Sequence, residues 1–268
     1  MVTKLRRTID RKTKFYPTNK NTFGLLPGPP EVGGTCPRCT RGEGGCWCDS
    51  KGSPVCYAAT CCRIYKAAAK ILRDNQEVIL GENIVGNLLQ MLSDFQRENY
   101  RYAVRNKTDP DKFQYFRWHW SGDLCNLRYA EAVVKAIKLT PGLKHWIYTR
   151  SFEFAELFKE LPNVVVYLSL DPCNWRQGVD TYFRSGLYDN QRFKMCFMAK
   201  TKDPVNAVLL ELKEHPESYG DADKIKAWAD STRVSTCPVD DHKLSLEYGC
   251  SKCRQCISSG NQLLWFRS

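Results

Sequence analysis

The feature that most constrains the fold is a regular alternation of short apolar strands with helices between residues 113 and 215. The strands are rich in Val, Ile, Phe, Tyr and Trp, and the segments between them are long enough for parallel crossovers. The pattern predicts strands at 113–120, 145–149, 164–170 and 192–199, and helices at 129–139, 152–161 and 204–215. Such an alternation is typical of an α/β protein and favours a TIM-like β/α barrel, complete or partial.

Polar residues follow three of these predicted strands. They are Ser121, Gly122 and Asp123 after the first strand, Thr149 and Arg150 after the second, and Asp171 after the third. In α/β folds ligands bind at the carboxyl ends of the strands, so we expect a pocket there.

These residues carry the candidate chemistry. Gly122 lets the backbone approach a ligand, and Asp123 can accept hydrogen bonds from an amine or a hydroxyl; the alternative is that Asp123 caps the next helix. Asp171 has similar alternatives, and the two carboxylates together could serve as nucleophile and base. Arg150 could bind a carboxylate or phosphate, or form a surface salt bridge. His119 and His145 lie within strands and are predicted to be hydrogen-bonded core residues.

The chain contains 14 cysteines, more than an ordinary cytosolic enzyme uses. Disulfides do not persist in a reducing compartment, so metal ligation explains this number better. The alternative is a secreted disulfide protein. The N-terminus lacks the apolar segment of a secretory signal, and 82–106 reads as one long amphipathic helix, which argues against it.

The cysteines form two groups. Seven lie between residues 36 and 62, where a glycine-rich loop turns helical near Cys56 and a thiolate at the helix start would have a lowered pKa. They exceed the needs of one four-ligand site, and their spacing does not say which are ligands. The second group suits four thiolates around zinc or an iron–sulfur cluster. Its members are Cys237, Cys250, Cys253 and Cys256.

Charge suggests the partner. The formal net charge is +11 and the isoelectric point about 9.0, so polyanions are attracted. Seven of the cations lie in the first twenty residues, which form either a phosphate-binding arm or a solvated tail. They are Lys4, Arg6, Arg7, Arg11, Lys12, Lys14 and Lys20. No run of about 18 apolar residues predicts a membrane span. The expected organisation is a basic arm (1–20), a barrel-like domain (21–230) and a cysteine-rich metal-binding tail with a last strand (231–268).

A series of short motifs, met in order, resembles the phage protein family called gene product 88. They are FGLLPGPPEVGGTCP from Phe23, CYA at Cys56, SGDL at Ser121, WIYTRS at Trp146, SLD ending at Asp171, and a tail in which CP precedes C-x-x-C-x-x-C. The order covers roughly residues 21 to 258. Because no signal peptide or membrane span is predicted, we expect a cytoplasmic protein, and the resemblance implies the cytoplasm of a phage-infected host cell.

The same pattern is similar to a diverged radical S-adenosylmethionine (SAM) barrel. That similarity implies a [4Fe-4S] cluster on a three-cysteine loop after a first strand at 21–26, with Cys36, Cys48 and Cys56 as its ligands. It also implies that Ser121, Gly122, Asp123 and Thr149 bind SAM, with Arg150 beside them. The tail cysteines would then hold an auxiliary cluster or zinc.

Three functions follow from these observations. The first is an iron–sulfur, radical SAM-like enzyme that acts on nucleic acid, DNA in the first instance, or on a modified nucleotide. The second is a barrel resembling tRNA-guanine transglycosylases, which would exchange a base in DNA using Asp123 as base and Asp171 as nucleophile beside a structural zinc. The third is a zinc-stapled DNA-binding protein that is not an enzyme. Substrate, product, metal identity and oligomeric state stay open.

Overall fold

The protein is built around one parallel β-sheet. The structure, a computed structural model, describes residues 4–257 and 262–267. The strands are β1 (Tyr115–Trp118), β2 (Lys144–Thr149), β3 (Val164–Leu170), β4 (Phe193–Ala199), β5 (Arg233–Thr236) and β6 (Gln262–Arg267). Their order in the sheet is β1-β2-β3-β4-β6-β5, and every neighbouring pair is parallel. The α/β class is confirmed. A closed barrel is not shown, since no pairing joins β1 to β5 within the described part of the chain.

Helices connect the strands and flank the sheet. They are α1 (Tyr57–Ile64), α2 (Lys66–Leu80), α3 (Ile84–Arg105), α4 (Leu127–Lys138), α5 (Trp175–Arg184), α6 (Asp203–Glu214), α7 (Ala222–Ser231) and α8 (Gly249–Cys253). The segment predicted as a helix at 152–161 is a 3-10 helix, Phe152–Phe158. Its buried residues Phe152, Ala155 and Phe158 recur at every third position, which matches the three residues per turn of that helix.

One face of the sheet carries the main hydrophobic core. Side chains alternate along a strand, so Val164, Val166 and Leu168 of β3 point into this core while Tyr167 points to the other face. Leu263 and Trp265 of β6 also belong to the main core. Their burial explains why the last strand lies inside the sheet, between β4 and β5.

The opposite face is covered by the two ends of the chain. The ring of Phe15 stacks on Tyr115 of β1, with 5.1 Å between the ring centroids. Lys12 Nζ lies 5.6 Å from the centroid of Phe266 of β6. The backbone N–H of Cys250 donates to Lys12 O at 2.8 Å, so the N-terminal segment and the tail lie against each other.

The segment 21–26 runs beside the β1 edge. Thr22 forms a parallel bridge to Arg117, and the N–H groups of Phe23 and Leu25 donate to Arg117 O and Ser121 O. This extended segment is where a first strand is predicted, and residues 27–35 connect it to the cysteine-rich loop. Among the described helices, none is both long and apolar enough to cross a membrane.

Candidate functional site

The carboxyl ends of β1, β2 and β3 bring together the polar residues that the sequence predicts at this edge. The five that have side chains are all buried: Ser121, Asp123, Thr149, Arg150 and Asp171. Gly122 has a φ of +77°, and a Cβ there would lie 2.5 Å from Thr35 Oγ1. The end of β1 therefore approaches the loop after segment 21–26 too closely for a larger residue.

Asp123 joins the ends of β1 and β2. Its Oδ1 accepts hydrogen bonds from Leu124 N and Thr149 Oγ1, and its Oδ2 accepts one from Arg150 N, all at 2.7 Å. Burial raises the pKa of Asp123 to about 6, although these three donors oppose the shift. Asp123 does not cap the next helix, because Asn126 occupies that position and accepts from Tyr129 N.

Asp171 lies at the end of β3 and is fully buried. Its Oδ2 accepts from Arg150 Nη1 and from Thr40 Oγ1, each at 2.5 Å. Its Oδ1 accepts from Cys173 N at 2.8 Å and Asn174 N at 3.2 Å. Burial disfavours the charged form of Arg150, but Cys46 and Asp171 outweigh this and raise its pKa. The pair therefore joins β2, β3 and the cysteine-rich loop through buried, mutually neutralised charges.

Four thiols of the cysteine-rich loop lie near this edge and interact electrostatically. Burial raises the pKa of Cys36 well above its usual value, with Asp123, Cys56 and Cys39 adding to the shift. Burial and the neighbouring Cys46 raise the pKa of Cys39 to about 11. The thiols that interact in this way include Cys36, Cys39, Cys46 and Cys56. Burial, with Cys61 and Cys56 adding to it, likewise raises the pKa of Cys62. The backbone of Cys48, a ligand implied by the resemblance, forms bridges with Arg41 and Pro54, and its role as a ligand stays a prediction.

Cys56 is the residue before α1, as its position at a predicted helix start requires. The nearby backbone N–H groups of Ala59 and Ala58 favour a lower pKa, but burial has the larger effect and the net shift in the pKa of Cys56 is upward. The expectation of a lowered pKa at Cys56 was wrong, because a helix start lowers the pKa of a thiol only where the effect of burial is smaller.

The tail cysteines interact on the other face of the sheet, where Cys256 packs against Tyr167, Cys196 and Leu264, while Cys237 directly follows β5. Burial raises the pKa of Cys256 to about 11; a hydrogen bond from Tyr148 opposes this, and Cys237 and Cys253 add to it. Burial and Cys256 raise the pKa of Cys250 to about 12. Lys12 is hydrogen-bonded to Cys237 and to Asp240. All four predicted tail ligands thus form one interacting group.

Neither group has the geometry of a finished metal site. Within residues 4–257 and 262–267, no three His, Cys, Asp or Glu side chains form a set that could hold a metal ion. The donor chemistry suits a soft metal or cluster, because the thiols are free and lie near one another. Metal ligation by either group stays a prediction.

Both histidines are core residues, as predicted, although His119 does not lie within a strand: β1 ends at Trp118, and His119 has a φ of +51°. His119 Nε2 lies 2.9 Å from Tyr129 Oη, and His145 Nδ1 accepts from Trp118 Nε1 at 3.1 Å. Burial lowers the pKa of each to about 3, so both are neutral at physiological pH.

Several residues at this edge were missed by sequence reasoning. Thr40 donates a hydrogen bond to Asp171, which lies 131 residues later in the sequence, and no local pattern predicts such a contact. Asn174 was detectable in principle, because an Asp followed three residues later by Asn at a strand end is a common turn and cap signal. Its Oδ1 accepts from Asp171 N at 2.7 Å.

Comparison with known proteins agrees with the order of motifs. The family model for gene product 88 matches residues 2–259. The gene 88 protein of Mycobacterium phage L5 is 25% identical over 278 residues, covering 98% of this chain and 97% of that protein. The gene 88 protein of Mycobacterium phage D29 is 28% identical over 185 residues, covering 63% of this chain and 69% of that protein. No solved structure matches. The chain therefore belongs to the gene product 88 family of phage proteins.

Proposed function

We propose that this phage protein is an iron–sulfur enzyme of the radical SAM-like type that acts on nucleic acid or a nucleotide. The observation that carries the proposal is the position of the cysteine-rich loop. The loop follows an extended segment beside β1 and brings four interacting thiols to the carboxyl ends of the strands. In parallel α/β folds this edge is where ligands bind.

The loop offers more thiols than a cluster with an open iron needs. Cys36, Cys39, Cys46 and Cys56 would be the donors, and a cluster held by three of them would leave one iron free to bind SAM and supply an electron to it. Asp123 fits the role of holding an amino group only in part. Its Oδ2 accepts a single hydrogen bond and retains acceptor capacity, but the residue is 5% exposed.

The base-exchange alternative fits the geometry less well. A nucleophilic carboxylate must reach its substrate, whereas Asp171 is fully buried and shared between Arg150, Thr40 and two backbone N–H groups. The tail thiols suit the structural zinc that this alternative requires. Zinc without iron would therefore favour it.

The DNA-binding alternative depends on a basic arm whose charges are available. Six of its seven predicted cations are in ion pairs within the chain. The partners are Asp94, Asp74, Glu98, Glu247 and Asp240. Paired cations have less to gain from phosphate, so this alternative loses its main support.

Metal and sulfide content of protein purified without oxygen, with a visible spectrum, tests the proposal. We expect iron with sulfide and a brown colour, and cleavage of SAM after reduction. Cys39→Ser and Cys46→Ser should lower the iron content, while Cys48→Ser, in the same loop, should leave it unchanged. Colourless protein with zinc alone, or with no metal, would overturn the proposal. Loss of iron in Cys48→Ser but not in Cys39→Ser would return the ligand set to the one implied by the resemblance.

A further inference from the structure

A cleft of about 450 Å³ opens beside the strand-end residues, between the cysteine-rich loop and the start of α5. Three of its ten lining residues are arginines, and none is acidic. The arginines come from three different parts of the chain: Arg38 from the loop, Arg150 from the end of β2 and Arg176 from the first turn of α5. Their convergence on one cleft is a property of the tertiary structure.

The cleft keeps positive charge even after its ion pairs are counted. Arg150 is neutralised by Asp171 behind it, and Arg38 Nε contacts Glu153 Oε1 at 2.9 Å. Arg176 lies 4.7 Å from the centroid of the Trp175 ring and hydrogen-bonds to Tyr219, and it belongs to no ion pair among the described residues. A guanidinium that is fixed by an aromatic ring but not neutralised is well suited to bind an oxyanion.

The first turn of α5 adds backbone donors to this charge. The N–H groups of Arg176 and Gln177 have no acceptor within the helix, because they belong to its first turn. Asn174, which precedes the helix, does not cap it with its side chain. That side chain is turned back to Asp171 N and Ser169 O instead. The N–H groups of Arg176 and Gln177 therefore remain available at the cleft, while Asp171 accepts from those of Cys173 and Asn174 just before the helix.

We propose that this cleft binds a phosphate group, either of a nucleotide or of a nucleic-acid strand. Cys39 also lines the cleft, so a phosphate held there lies beside the thiols of the loop. The phosphate site depends only on the arginines and α5; its use as the anchor that presents a substrate to those thiols rests on the function proposed above.

The test measures binding of three probes to the purified full chain by titration calorimetry: dGMP, deoxyguanosine, and a single-stranded DNA 12-mer. We expect dGMP or the 12-mer to bind and deoxyguanosine not to bind. In Arg38→Gln/Arg176→Gln the affinity should fall at least tenfold, and the dependence of log Kd on log salt should become shallower. Arg176→Gln alone, with an exposed side chain outside the core, should show a smaller loss in the same direction.

Arg184→Gln is the matched control, because Arg184 lies on the same helix but away from the cleft; its affinity should change less than twofold. A loss for dGMP identifies a nucleotide site, and a loss for the 12-mer alone identifies a strand site. The proposal is overturned if neither phosphate-bearing probe binds the wild type, if the double variant binds as well as the wild type, or if Arg184→Gln loses as much. Since metal content is measured separately, colourless protein with this binding pattern would reject the cluster and retain the phosphate site.

Discussion

The ion pair of Arg150 and Asp171 is the most consequential pair of residues at the strand ends. Their side chains are only 10% and 1% exposed, so neither charge is solvated by bulk water. Two charges buried in this way depend on each other, and removing one partner leaves an uncompensated charge in a medium of low dielectric constant. Asp171 is therefore better explained as the counter-ion that fixes Arg150 than as a nucleophile.

Asp171→Ala should lower the free energy of unfolding by about 3–5 kcal/mol, because it leaves the buried charge of Arg150 without a counter-ion. Chemical denaturation measures this loss. Asp180→Ala, which breaks the exposed Arg184–Asp180 pair on α5, should cost less than about 1 kcal/mol. A variant Asp171→Ala as stable as the wild type but catalytically inactive would restore the carboxylate to a chemical role.

Residue identities at the strand ends could be predicted, but their partners could not. A polar residue that ends an apolar strand is visible in one sequence, and Ser121, Asp123, Thr149 and Asp171 were found in that way. Which thiols meet is decided by the path of a glycine-rich loop with little periodicity. The spacing of the cysteines alone therefore could not show that Cys36, Cys39 and Cys56 interact.

At the scale of elements, Asp123 acts as a link between β1 and β2. Its three hydrogen bonds come from the residue after it and from the end of β2. Burial raises its pKa from the ordinary 3.8 to about 6. Between these two values the folded chain binds more protons than the unfolded chain, so the stability contributed by protonation is present below pH 3.8 and is lost as pH rises through 6.

Asp123→Asn removes this titration. The difference in unfolding free energy between wild type and Asp123→Asn should therefore fall by about 2 kcal/mol between pH 4.5 and pH 7.5. Denaturation curves at several pH values in this range measure it. Asp180→Asn, the same substitution at an exposed side chain, is the matched control. A wild type that gains stability over Asp123→Asn as pH rises would show that the hydrogen bonds, and not burial, dominate the pKa of Asp123.

Element prediction worked where apolar patterning is strong. The strand β3 matches the predicted bounds 164–170, because nearly every residue in it is apolar. β5 and α7 were not predicted. β5 has only four residues, Arg233–Thr236, with one apolar member and partial exposure, so its edge position is stabilised by pairing with β6 and not by its own composition.

At the scale of the whole molecule, the N-terminal segment is part of the fold. Leu5 is 3% exposed and Tyr16 4%, and both pack inside the molecule. From a single sequence, this run of cations suggests a solvated arm, because the acids that pair with the cations lie far away along the chain. They are Asp94 for Lys4, Glu98 for Arg7, and Glu247 for Arg11. Such distant pairing cannot be predicted from charge patterning alone.

A substitution of Asn75 in α2 tests whether the N-terminal segment is part of the fold. It is fully buried, accepts from Arg6 N at 2.7 Å, and donates to Arg6 O and Gly24 O, each at 2.9 Å. One side chain thus attaches the N-terminal segment and the extended segment 21–26 to the same helix. Asn75→Ala leaves three backbone groups without this partner and should cost about 2 kcal/mol in unfolding free energy.

Detachment of the N-terminal segment in Asn75→Ala should also be detectable by proteolysis. Trypsin should cleave the first fourteen residues, which contain six Lys and Arg, faster in Asn75→Ala than in the wild type. Glu77→Ala, an exposed change on the same helix, should alter the stability by less than about 0.5 kcal/mol and leave the cleavage rate as it is. If the wild type is already cut there as rapidly as an unfolded chain, the segment is a free arm. Its cations would then be available to phosphate, and the DNA-binding alternative would regain its support.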